Sequence, residues 1–173
     1  FVYKGSIIQK NLTYYHREVL PNEIYEWILL SDPRFLLTDM DGVLCKELPS
    51  NIIDNSPEYV HWIKTVKANL IPKYPIRAII TGRFECYRKI TEDWLKKHGI
   101  EYEELVMFPN NQEHDPQSAA KFKANEIQRI LRNAGLPNKD MTICYLESLE
   151  EEARLIHKLT DKGILCVDNL EIY

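Results

Sequence analysis

The stretch Phe35-Leu36-Leu37-Thr38-Asp39-Met40-Asp41-Gly42-Val43-Leu44 decides how this chain is read. It opens with a short apolar run, Phe35–Thr38, of the kind that becomes a buried strand. The run ends in two carboxylates that flank one apolar residue. Along an extended backbone, positions i and i+2 point the same way, so Asp39 and Asp41 face one pocket beyond the strand end. Gly42 leaves the backbone free to turn there. Like charges this close are costly unless a cation neutralises them. The pair therefore asks for a hard divalent metal such as Mg2+, held by carboxylate and backbone oxygens.

Four more runs of the same character come later in the chain: Ala78–Thr81, Leu105–Phe108, Thr142–Leu146 and Ile164–Val167. Helix-period segments lie between them. Pro57–Leu70 has Ser56 as an N-cap and Pro57 at its first position. Glu85–His98 stops at Gly99, and Ser118–Asn133 stops near Gly135. Ser148–Asp161 has an acidic first turn (Glu150, Glu151, Glu152) and stops at Gly163. Strand alternating with helix predicts an α/β fold, an open parallel sheet with helices on both faces. Such sheets bind ligands beyond the carboxyl ends of their strands.

The residues just past each strand are therefore the informative ones. Thr81-Gly82-Arg83 places a hydroxyl and free backbone N–H groups where a phosphoryl oxygen could be held; the same residues also make a plain capped turn. Lys121 and Lys123 come after the third strand, where a lysine could neutralise an aspartate and a phosphate. Glu147 comes directly after the fourth strand and could complete a metal shell, with Glu151 one turn on. An acidic first turn is also good capping chemistry in itself. None of the histidines (His16, His61, His98, His114, His157) lies at a strand end, and none is assigned a role.

The chain has 173 residues, enough for one domain and a small appendage. Hydrophobic residues make up 45% and charged residues 28%, which excludes a disordered chain. The net charge of −4 argues against strong non-specific binding to nucleic acid or anionic lipid. No apolar run approaches the ~18 residues of a membrane span. Cys45, Cys86, Cys144 and Cys166 form no Cys/His cluster, so a structural zinc site is not expected, and the thiols read as reduced and cytoplasmic. Residues 1–30 differ from the rest. Val2–Gln9 and Leu12–Leu20 alternate like strands and Pro21–Leu30 has a short amphipathic pattern, so this part reads as a β-rich N-terminal extension or a junction to an upstream domain. Phe1 in first place suggests a piece of a longer protein. Residues 31–173 form the main domain.

Acid pair, hydroxyl, lysine and acid arrive in that order at successive strand ends. In this the sequence resembles the haloacid dehalogenase-like (HAD) phosphohydrolase superfamily over about residues 34–168. Asp39 and Asp41 match its first motif and Thr81 its second. Lys123 is the better match to the third, with Lys121 as rival, and Glu147 and Glu151 match the spacing of the fourth. The superfamily usually has Asp where Glu147 stands. The resemblance implies a Rossmann-like sheet of strand order 3-2-1-4-5. It also implies a capless site, because neither Lys46–Ile76 nor 84–104 is long enough for a cap. Asp39 would attack phosphorus and become a phospho-aspartate; Asp41 would protonate the leaving oxygen and then activate water. Thr81 and Lys123 would hold phosphoryl oxygens. Mg2+ would be held by Asp39, the backbone carbonyl of Asp41, Glu147 and waters, with Glu151 in an outer-sphere place.

A closer likeness is carried by Leu20–Trp27, Asp39–Cys45, Lys73–Glu104 and Glu147-Ser148. These look like the HAD-like domain found C-terminal to a phosphoribosyltransferase domain in some bacterial and phage proteins. That implies a transferase upstream and a phosphorylated metabolite or nucleotide as substrate. A second likeness, to the 3′-phosphatase domain of polynucleotide kinases, is carried by Thr81-Gly82-Arg83, Tyr87-Arg88 and Thr91-Glu92-Asp93-Trp94-Leu95. It implies that Gly82, Arg83 and Arg88 bind a substrate phosphate, with nucleic acid possible through a local patch of Arg83, Arg88, Lys96 and Lys97. A third reading is a non-catalytic HAD-like domain that binds a phosphate ligand or mediates assembly.

Overall fold

The computed structural model describes residues 36–52, 56–72, 74–135 and 144–173. The expected N-terminal extension lies outside them, as do Phe35 of the first apolar run and Thr142 and Ile143 of the fourth. The described residues form β1 (Leu37–Thr38), α1 (Pro57–Thr65), β2 (Ile76–Phe84), a 3-10 turn (Glu85–Tyr87), α2 (Arg88–Lys97), β3 (Tyr102–Phe108), α3 (Pro116–Asn133), β4 (Tyr145–Glu147), α4 (Glu150–Thr160), β5 (Ile164–Cys166) and β6 (Glu171–Ile172). The protein is α/β, with a mostly parallel six-stranded sheet ordered β3-β2-β1-β4-β5-β6. Of these strands β6 alone runs antiparallel, at the edge beside β5.

Strand alternation sorts the core into two layers. Leu36, Ile79, Leu146 and Leu165 turn to one face and pack with Trp62 and Ile63 of α1 and Trp94 and Leu95 of α2. Leu37, Ala78, Ile80, Tyr145 and Ile164 turn to the other, against Ile127 and Leu131 of α3 and Ala153 and Ile156 of α4. Each such buried aliphatic side chain contributes about 1.5–3 kcal/mol. The buried Tyr145 donates its O–H to the Ile80 carbonyl at 2.6 Å, so its polar end costs little in this core. Among the described residues, no helix is long and apolar enough to cross a membrane.

Several boundaries differ from the sequence expectation, and three of them have a plain cause. α1 stops at Thr65, short of the expected Leu70, because Val66 turns extended. The chain then runs back along the exit of β1: Ala68 bridges Cys45, and the N–H groups of Asn69 and Leu70 bond the carbonyls of Leu44 and Val43 at 2.8 and 3.0 Å. β2 runs on to Phe84, which pairs with Phe108 across a register shift after Thr81. Thr81, Gly82 and Arg83 are thus an irregular stretch inside the strand rather than the turn after it. α3 starts two residues early, at Pro116, because Asp115 rather than a later residue caps it, in a capping box with Ser118.

The topology fixes where a ligand can sit. The chain moves outward from β1 to β2 to β3, then crosses to the opposite side of β1 to lay down β4. The crevice between β1 and β4 is a topological switch point, and the carboxyl ends of these two strands carry Asp39 and Glu147.

Candidate active site

At that crevice lies a cavity of about 120 Å3 whose walls include Asp39, Asp41, Thr81, Arg83, Lys123 and Ser148. Two charge constellations organise it. The first is built round Lys123, whose Nζ lies 2.7 Å from Asp39 Oδ2, 2.8 Å from Glu147 Oε2 and 2.7 Å from Glu152 Oε2. Lys123 reaches this point because it shares a buried face of α3 with Ala119 and Ile127, and the small Ala119, Ala120 and Ala124 let the helix approach the sheet. Lys121 lies on the exposed face. The structure thus brings Lys123, not its rival, to Asp39.

Three carboxylates about one ammonium leave this buried group short of positive charge. Burial raises the Asp39 carboxyl above its ordinary range, against the pull of Lys123. Burial raises Glu147 well above the usual carboxylate range in the same way, again opposed by Lys123. For Lys123 itself burial acts downward, but Asp39 and Glu147 outweigh it and hold the ammonium charged well beyond the normal lysine range.

The second constellation joins Asp41 to Arg83. Arg83 Nε lies 2.9 Å from Asp41 Oδ2 and 3.1 Å from Oδ1, and Nη2 is 2.5 Å from Oδ1. The Arg83 side chain is wholly buried. Its guanidinium sits 5.4 Å from the Trp62 ring centroid, with Nη1 donating to Thr91 Oγ1 at 3.4 Å. The Cys45 thiol donates to Asp41 Oδ1 at 3.1 Å, and burial together with Asp41 pushes this thiol upward, so it stays protonated.

The backbone of Asp41 is fixed as well. Ser148 Oγ lies 3.1 Å from the Asp41 carbonyl oxygen and 3.0 Å from Glu47 Oε2. Gly42 has φ +74°, and a Cβ there would come within 2.3 Å of the Ser148 Cβ and of Glu47 Oε2. Only glycine fits both the backbone and the space. Thr81 is fully buried, and its Oγ1 accepts from the Arg83 N–H at 3.2 Å.

Not every expected residue arrives. Arg88 is held outside the cavity by Glu85 (Nη2 to Oε2, 2.9 Å), Glu92 and the Leu105 carbonyl. The pairing with Glu85, one helical turn away, satisfies its charge locally. Arg83 reaches the site but grips Asp41 instead of an open phosphate position. Glu151 faces solvent, and its neighbour Glu152 takes the inward place. Helix phase carried that signal: Glu152 stands four residues before the buried Ile156, so the two share a face. Ser148, Glu47 and His114 also line the cavity without having been expected there. His114 reaches it from the β3–α3 loop, its ring 4.9 Å from that of Phe108. Its place in the polar stretch after the third strand was the one available hint.

Asp39 and Glu147, both expected round Mg2+, are each held by Lys123. Among the described residues, no group of three or more His, Cys, Asp or Glu is arranged to hold a metal ion. Glu147 is fully buried; Oε2 takes Lys123, and Oε1 takes the N–H groups of Ser148 and Leu149 at 2.9 and 3.3 Å. The Asp41 carbonyl, the oxygen expected on the metal, lies 3.1 Å from Ser148 Oγ, and Glu151 is exposed. Compared with known proteins, the chain matches no family model and no curated protein.

Proposed function

We propose that this chain is a HAD-type phosphohydrolase that moves a phosphoryl group from a phosphorylated metabolite or nucleotide onto Asp39 and then onto water. The observation that carries this is the contact of Lys123 Nζ with Asp39 Oδ2 at the switch point, with Asp41 and Thr81 on the same cavity. A lysine recruited from 84 residues away to a strand-end aspartate is more than local capping explains.

The chemistry follows from placement. An Asp39 carboxylate oxygen attacks phosphorus, the ester P–O bond breaks, and the leaving oxygen takes a proton from Asp41, which enters this step in its acid form and leaves it as the carboxylate. Water then attacks the phospho-aspartate, losing its proton to Asp41, and inorganic phosphate leaves. Lys123 supplies fixed positive charge beside the reacting centre. The Thr81 hydroxyl accepts from backbone and so keeps its own proton to donate to a phosphoryl oxygen. Donors set in place before reaction are worth about 3 kcal/mol each in the transition state. No step is routed through a metal, because the carboxylates as placed do not form its shell.

The cavity, at about 120 Å3, is smaller than the ~300 Å3 that begins to enclose a drug-sized ligand. It suits a phosphoryl group, with the rest of the substrate outside. With Arg88 held elsewhere, the two-arginine clamp of the polynucleotide reading is not formed, which favours a small substrate. The likeness to domains joined to a phosphoribosyltransferase supports a transferase as functional neighbour.

The test is hydrolysis of p-nitrophenyl phosphate and of a panel of sugar phosphates and nucleotides, in buffer containing Mg2+. Asp39→Asn is expected to lower kcat by at least about 10³-fold with an unchanged circular-dichroism spectrum. Equal turnover by this variant, or no phosphate released by the wild type from any substrate, would refute the proposal.

A further inference from the structure

We infer that Arg83 is a positioning residue for Asp41 and not a binder of substrate phosphate. The inference rests on the phosphohydrolase reading and assigns a role within that same site. A substrate clamp must present free N–H groups to the cavity. Arg83 does not: its side chain has no exposure, and Nε and Nη2 are both spent on the two oxygens of Asp41. The remaining nitrogen, Nη1, points to Thr91 in α2. Trp62 of α1 covers the guanidinium from another side. The β1 exit, α1 and α2 thus hold one side chain whose charged partner is a single carboxylate, with Nη2 also 3.5 Å from Cys45 Sγ.

The hold is complete from the side of Asp41 as well. Its Oδ1 receives Nε, Nη2 and the Cys45 thiol, and its Oδ2 receives Nε. A fork of parallel N–H···O bonds fixes the plane of a carboxylate as well as its place, which a lysine cannot do. The Ser148 contact on the Asp41 carbonyl and the obligatory Gly42 secure the backbone of the same residue. Side chain and main chain are both immobilised, while 21% of the Asp41 side chain stays open to the cavity. Oδ1 takes Nη2, Nε and the thiol while Oδ2 has only a share of Nε, so Oδ2 is the oxygen that carries the proton when Asp41 enters the step in its acid form; holding it in place matters, since a misplacement of about 1 Å costs roughly 10²-fold in rate.

The register shift in β2 gives the fork its reach. The strand departs from regular pairing between Thr81 and Phe84, so Arg83 sits on the irregular segment beside the end of β1. The positions of Thr81 and Arg83 are coupled, because the Arg83 N–H donates to Thr81 Oγ1. One short segment therefore places both a phosphoryl donor and the support of the proton carrier.

The test uses the full chain and esters of graded leaving group, from p-nitrophenyl through phenyl to alkyl phosphate, with Arg83→Gln, Arg83→Lys and Asp41→Asn. A residue acting through Asp41 matters most where the leaving oxygen needs a proton. Arg83→Gln is expected to lower kcat roughly 10²-fold on the alkyl ester and only a few-fold on p-nitrophenyl phosphate. KM and inhibition by inorganic phosphate should stay within twofold, and adding Arg83→Gln to Asp41→Asn should cost nothing further. Should Arg83→Gln fail to fold, Arg83→Lys, which keeps the charge but cannot fork, carries the same comparison. Overturning results are a rise of tenfold or more in KM and in the phosphate inhibition constant, an equal loss across leaving groups, or a loss that adds to that of Asp41→Asn. These leave the phosphohydrolase reading standing if Asp39→Asn is inactive; an active Asp39→Asn would remove that reading itself.

Discussion

Replacing Lys123 by Met keeps most of the side-chain volume and removes the ammonium shared by Asp39, Glu147 and Glu152, each of which lies 2.7–2.8 Å from Nζ. Breaking a buried ion pair by deleting one partner costs about 3–5 kcal/mol, because the other charge is left without compensation. Here three carboxylates lose it together, so the upper part of that range is expected at pH 7.5. The loss is a large fraction of the roughly 5–15 kcal/mol that stabilises a domain. The pH dependence follows from the direction of the shifts. Burial already raises Asp39 and Glu147 above their unfolded values of 3.8 and 4.5, and without Lys123 they rise further. A carboxyl raised in the folded state binds more protons there than in the unfolded chain. Its contribution is present at acid pH and is lost as pH rises through the folded value. The deficit of the variant should therefore shrink on going from pH 7.5 to pH 5. Urea denaturation of both proteins at the two pH values measures it. A deficit below about 1 kcal/mol at pH 7.5, or one equal at both pH values, would refute the account of this cluster.

Helix phase in α4 is tested by a pair of neighbours: Glu152→Gln should change kcat and the pH of maximal stability, while Glu151→Gln, on the exposed face, should leave both unaltered in rate assays and melts. Gly42→Ala forces a Cβ to within 2.3 Å of Ser148 at φ +74°, and should lower stability by roughly 2 kcal/mol or more in thermal melts; a melting temperature equal to that of the wild type would count against the packing described. The commitment of Glu147 to Lys123 and two N–H groups predicts that Mg2+ alone binds no tighter than about millimolar in titration calorimetry, as at sites poor in available carboxylate. A micromolar site would show that these carboxylates rearrange.

Much of the fold was legible because its signals are local. The five apolar runs, the stops at Gly99 and Gly135, and the N-cap Ser56 before Pro57 each depend on a few adjacent residues. The displaced ends of α1 and β2 share one cause, which is backbone pairing with distant partners. Residues 66–70 read as helix, yet the N–H groups of Asn69 and Leu70 found the carbonyls of Leu44 and Val43. Thr81-Gly82-Arg83 reads as a turn, yet Phe84 found Phe108.

The site divides along the same line. Strand periodicity and chain order suffice to put Asp39 and Asp41 on one side of a strand end and to associate Thr81, Lys123 and Glu147 with the carboxyl-terminal parts of later strands or the segments that follow them. They do not say that Lys123 and not Lys121 meets Asp39, that Glu152 replaces Glu151, or that Arg83 serves Asp41 while Arg88 stays outside; folding made those choices. They turn on the rotation of a helix about its axis and on the register of β2 against β3. Both are set by packing between residues far apart in the chain. A buried charge settles on whatever partner that packing brings within 3 Å, and such distances are not encoded in any one stretch of sequence.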